Sequence, residues 1–126
     1  MHTADYAILV WGKTLSSLFE SAALGMFYLM GMKVEKGDNE ILICDLQAEN
    51  LENLLVDFLS ELLFILEVRN SAILDMELSI NGLSLSAKLT LGKITNLDKW
   101  VKAVTYHNLS VKETFRGFET NLVFDV

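Results

Sequence analysis

Two aspartates stand in apolar surroundings at opposite ends of the chain, Asp5 in "HTADYAI" and Asp125 in "LVFDV". A carboxylate flanked by residues that tend to be buried must be paired, hydrogen-bonded, metal-bound or protonated. The competing reading is that each closes a strand end and points into water. Asp57 and Glu61, one helical turn apart, pose the same choice, and there a solvated helix edge is the simpler answer. The other reactive side chains are sparse: His2, His107 and the single Cys44 have no zinc-type spacing. Nucleophilic catalysis needs a nucleophile, a base and a group that orients the base, and no local signature of that kind occurs. The seven glycines are dispersed singly, so no phosphate-cradling loop is present either. These patterns name no catalytic residue, and Asn108-Leu109-Ser110 is a chance glycosylation sequon.

The elements that must position these groups follow from periodicity. Residues 4 to 11 alternate, with Tyr6, Ile8 and Val10 on one side and Asp5, Ala7, Leu9 and Trp11 on the other, a strand in a largely buried neighbourhood. Thr14 is placed to cap a helix whose apolar stripe runs through Leu15, Leu18, Phe19, Ala22, Met26 and Met30, with Gly31 as its stop. A polar turn around Lys36 to Asn39 leads into a second strand, "EILICDLQA", in which Cys44 is expected to be buried. Asn50 caps a second helix with Leu51, Leu54, Leu55, Phe58, Leu59 and Leu62 among its inner positions. A hairpin spans Leu74 to Leu91, with Leu74, Met76, Leu78 and Ile80 inward and Asn81-Gly82 as a type I′ turn. Gly92 to Trp100 reads as loop or ragged strand end, and a second hairpin turns at Thr114 to Gly117. The fold class is α+β: two amphipathic helices packed on mostly antiparallel β-sheet, in one domain over residues 1–126.

With 52% hydrophobic and 21% charged residues the chain is a packed globule, and its formal net charge is −7. The basic residues are scattered, which argues against direct stable binding of nucleic acid and for a basic protein or a metal ion as partner. The most apolar run, Ser21 to Met32, is too short to span a bilayer, and no basic patch precedes an apolar run at the start. No membrane partner and a cytoplasmic location are therefore expected.

Several blocks together resemble the archease family, in order and over nearly the whole chain: "HTAD", a strand ending in Trp-Gly, "TLSSLFESAALGMF", "ENLENLLVDFLSELLF", "VKAVTYHNLSV" and a terminal "FDV". "HTAD" and "KAVTYH" are specific in combination. The resemblance implies a non-enzyme: an accessory protein that activates an RtcB-type RNA ligase in tRNA splicing and RNA repair. That ligase uses GTP and metal ions, and the accessory protein promotes its guanylylation and its multiple turnover. The resemblance further implies adjacent first and last strands and a bound divalent metal ion, calcium, held by Asp5, Asp125 and the backbone oxygen of Val126. Hard cations prefer such oxygen ligands. If Val126 is the native terminus, it would contribute a carboxylate in place of a peptide carbonyl.

His107 shares parity with Val101, Ala103, Leu109 and Val111 and is expected to face the packed side as a hydrogen-bonded structural residue. His2 is expected to support the Asp5 segment rather than to ligate metal. Thr3 and Tyr106 fit a structural role or a partner-facing surface equally. The pattern departs from the family at Met1, where an acidic residue is usual, at Tyr6, where a small aliphatic is usual, and in "GKITNLDKW", which lacks the family's Gly-Glu, His and Thr-Glu. Two other readings stand beside the first: a chaperone-like interaction module with another partner, and a hydrolase using paired carboxylates and a divalent metal.

Overall fold

The computed structural model describes residues 5–106 and 108–126. Met1, His2, Thr3 and His107 thus lie outside the described residues. The order of elements is β1 (Asp5–Gly12), α1 (Leu15–Leu29), β2 (Lys33–Gln47), α2 (Leu51–Arg69), β3 (Ala72–Asn81), β4 (Ser84–Asn96), β5 (Ala103–Val104), β6 (Lys112–Thr114) and β7 (Gly117–Asp125).

Both helices begin where their caps dictate. Thr14 is extended and its hydroxyl accepts from Ser17 N at 3.1 Å, while Ser17 Oγ accepts from Thr14 N at 2.9 Å. This capping box satisfies two amides that the first helical turn leaves without partners. Asn50 caps α2 in the same way, its Oδ1 accepting from Asn53 N at 2.8 Å. Gly31, at φ +65°, ends α1 in a backbone region that costs glycine nothing. Asn70 ends α2 in the left-handed region.

Every sheet pairing among the described residues is antiparallel. In one sheet β7 is central, with β1 along one edge and β5 and β6 along opposite ends of the other. The second sheet has the order β2-β4-β3. α1 touches β1 and β7 of the first sheet and β3 of the second, and α2 touches β2, β3 and β5, so the helices join the two sheets around one core. Phe19 and Phe58, both fully buried, meet there with ring centroids 6.1 Å apart, beside Leu62, Leu89, Leu122 and Phe124. Buried aromatics contribute most to such a core because of the area each removes from water.

The structure revises several details. The expected turn at Lys36 to Asn39 is a bulged stretch inside one long strand: β2 starts at Lys33, and its register against β4 shifts between Lys36 and Ile41. A bulge absorbs extra residues without ending the pairing, which polar composition alone cannot distinguish from a turn. The β3–β4 loop is Gly82-Leu83 rather than Asn81-Gly82, since Asn81 pairs with Ser84 and of these residues only Gly82 has positive φ. That is the type II′ pattern, with glycine first. Leu74 is 38% exposed instead of inward, because a register shift between Ile73 and Asp75 breaks the alternation. β4 continues to Asn96, so the first part of the stretch from Gly92 to Trp100 is strand end rather than loop. The chain ahead of the turn at Thr114 to Gly117 carries two short strands, β5 and β6, both paired with β7. The outward side of β1 is open to solvent, with Leu9 at 60% and Trp11 at 63% exposure.

Candidate functional site

The pairing of β1 with β7 places Asp5 directly opposite Asp125. Cα atoms of facing residues in an antiparallel pair lie about 4.5–5.5 Å apart, and their side chains project from the same face. Here that face is the outward one: along β1 and β7 the inward series is Ile8, Val10, Leu122 and Phe124, and the aspartates alternate with it. Two aspartates from opposite ends of the chain are therefore cross-strand neighbours at one tip of the first sheet. Val126 follows directly, its side chain packed against the rim of the core.

A third strand closes over this tip. Ala103 pairs with Asp125 and Val104 with Phe124. Lys102 N donates to the Asp125 carbonyl at 2.7 Å, and Thr105 N donates to the Val123 carbonyl at 2.9 Å. The long connection that carries β5 is tied down along its length. Asp98 N and Lys99 N donate to the carbonyl of Met30, Val111 N donates to Glu52 Oε2 at 2.8 Å, and Thr120 Oγ1 donates to the carbonyl of Ser110 at 2.9 Å. Lys99 Nζ lies 4.4 Å from the centre of the Tyr6 ring, one residue from Asp5. Such a contact ties the segment ahead of β5 to the start of β1, on the face opposite the aspartates.

Two buried oxygens in this region have no hydrogen-bond partner among the described residues, Asp125 Oδ1 and Thr105 Oγ1. An unpartnered buried acceptor is costly, about 1–3 kcal/mol, and calls for a ligand, a water or an ion. Like charges placed directly opposite across strands add to that cost. An all-oxygen donor set with one unsatisfied carboxylate oxygen suits a hard divalent cation. Among the described residues no cluster of three or more His, Cys, Asp or Glu side chains occurs, so the pair would need backbone, hydroxyl or water oxygens to complete a shell. Thr105 lies inside "KAVTYH" but gave no sequence signal, since a threonine in a strand is ordinary.

The remaining reactive residues are elsewhere. Tyr106 is 55% exposed, and its hydroxyl is 3.5 Å from Asp57 Oδ1; burial, followed by the Asp57 charge, raises its phenol above the usual range. Cys44 is half-buried on β2, and burial, then the charges of Glu61 and Asp45, push its thiol up to about 11. A reactive cysteine requires the opposite shift, so this thiol stays protonated at neutral pH. No described helix is long and apolar enough to cross a membrane.

These features define a class: an α+β protein whose terminal strands pair to present two acidic side chains at a sheet tip. Its sequence matches the archease protein family (MTH1598/TM1083) over residues 1–126. An archease of Methanosarcina barkeri is 36% identical, with 99% of this chain and 92% of that protein covered. One from Thermococcus kodakarensis is 34% identical over 89% and 84%. The fold is that of a Thermotoga maritima protein described as an archease and possible chaperone, with a TM-score of 0.72 at 22% identity, covering 98% of this chain and 90% of that one. The chain belongs to the archease family.

Proposed function

We propose that this chain is a metal-binding accessory protein that activates an RtcB-type RNA ligase in tRNA splicing and RNA repair, promoting guanylylation of the ligase and its multiple turnover. The observation that carries the reading is the register of Asp5 against Asp125, with Asp125 Oδ1 buried and unpartnered. Membership of the archease family supports the reading, and the partner is the one that the sequence resemblance implies. Asp5, Asp125 and the backbone oxygen of Val126 would hold a hard divalent cation, as oxygen donors prefer, with calcium the ion that the family resemblance implies. Once bound, the cation offsets the repulsion of the two carboxylates and presents a fixed positive charge beside an acidic surface.

The chain's own residues then act by positioning. The Lys102 amide, just ahead of β5, bonds the Asp125 carbonyl and so pins the main chain that carries this aspartate. The net charge of −7 favours approach to a basic, RNA-binding enzyme, and the effect on guanylylation is electrostatic organisation rather than nucleophilic attack. In the decisive experiment purified ligase and GTP are mixed with this protein, and the covalent guanylate on the ligase is counted. Stimulation by the native protein and its loss in an Asp5→Ala, Asp125→Ala double variant of native fold are expected. A fully active double variant, or no stimulation at all, overturns the reading; the latter favours a chaperone-like module with another partner.

A further inference from the structure

The second sheet ends on β2, whose outer edge pairs with no strand among the described residues. Free edges are ordinarily blunted by bulges, charges or proline. On β2 the bulge and the lysines lie in the first half, whereas Ile41–Gln47 runs in unbroken register against β4 from Thr90 to Ser84. Coverage of this half is incomplete. The inward residues of β4, Leu85, Ala87 and Leu89, are buried, but their β2 neighbours Leu46, Cys44 and Leu42 are only partly so. α2 overhangs the edge, holding Phe64 and Val68, one helical turn apart, at 58% and 62% exposure. Between helix and strand lies a cleft of about 480 Å³. A sheet with one more strand would fill it.

Charge selects the occupant. Asp45 and Glu61 line the cleft near Cys44 without an ion pair among the described residues, while Arg69 at the opposite end is engaged by Glu40. A second copy of this chain would bring the same uncompensated acids and another net charge of −7 to the contact. We propose that the β2 edge between Ile41 and Gln47 receives an extended segment of another protein, added as an antiparallel or parallel fourth strand. Its apolar side chains, at alternate positions, fill the cleft against Phe64 and Val68; its Lys or Arg side chains, on the opposite face, meet Asp45, and a basic residue at the rim of the cleft meets Glu61. Main-chain hydrogen bonds supply affinity and the alternating pockets supply selectivity. This surface is distinct from the aspartate pair and does not rest on the function proposed for it.

The test uses the full chain and two labelled peptides, one alternating valine with lysine and one alternating valine with glutamate, each of about seven residues to match a short strand. At low ionic strength the lysine peptide binds saturably, and the glutamate peptide binds at least about tenfold more weakly. Hydrogen exchange shows new protection of the amides from Ile41 to Gln47. Phe64→Asp and Asp45→Lys, both at positions open to solvent, weaken the lysine peptide about tenfold or more without altering the circular dichroism. Asp125→Ala leaves its binding unchanged, which separates this edge from the carboxylate tip. Absence of binding, equal affinity for both peptides, or binding without β2 protection overturns the proposal. So does a dimer in sedimentation whose β2 amides are already protected.

Discussion

Asp125 illustrates how one side chain can be unfavourable for folding and useful for binding. Its buried Oδ1 lacks a partner, and a second aspartate stands opposite it in the strand pair. Asp125→Ala should therefore be neutral or stabilising by about 1 kcal/mol in chelator. In calcium the order should reverse, because the native chain gains about 2.7 kcal/mol when the ion is at a hundred times its dissociation constant and the variant gains nothing. Thermal unfolding of both proteins with and without calcium measures this directly. Cys44 makes a pH prediction of the opposite kind. In the unfolded chain a thiol loses its proton near about 8.5, whereas in the fold it is held to about 11. Across that window the unfolded state binds fewer protons, so stability falls as pH rises and is unaffected at neutral pH. A denaturation series from pH 7 to pH 11 should show a shallower decline for Cys44→Ala than for the native chain.

At the scale of elements, caps and apolar stripes determine where the helices begin and which face they bury. Thr14→Ala removes the hydroxyl that receives Ser17 N and should cost about 1 kcal/mol. Phe58→Ala opens a cavity against Phe19 in the fully buried centre and should cost about 3–5 kcal/mol, read as a lowered denaturant midpoint. Strand boundaries were less legible. Alternation separated the two faces of β1 without showing that the side of Leu9 and Trp11 is open to solvent, and it assigned Leu74 inward, since a register shift is invisible in a pattern of period two. The bulge inside β2 had the composition of a turn for the same reason: both relax the backbone with glycine and asparagine, and only the pairing partner tells them apart.

For the molecule as a whole, the excess of acidic residues should govern association more than the strength of the final complex. If the partner is a basic RNA ligase, raising the salt concentration should slow association markedly and change dissociation little, which stopped-flow measurement of complex formation would separate. The two surfaces of interest sit on different sheets, the carboxylate tip on the pair β1–β7 and the open edge on β2. The helices between them bury one continuous core, so the tip and the edge are held by the same rigid body.

The residue types and their local spacing were enough to determine the fold class, both helices with their caps, the family, and the candidacy of Asp5 and Asp125, because these depend on neighbours a few positions apart or on motifs read in order. Periodicity could not determine that the two aspartates face each other, that Asp125 Oδ1 and Thr105 Oγ1 have no partner, or that β2 is left open beside an overhanging α2. Each of those facts is a relation between segments distant in the chain, fixed by the register of strand pairing and by where the helices come to rest. Local sequence carries the preference of each strand to pair, whereas the choice of partner and the edge left over belong to the assembled sheet.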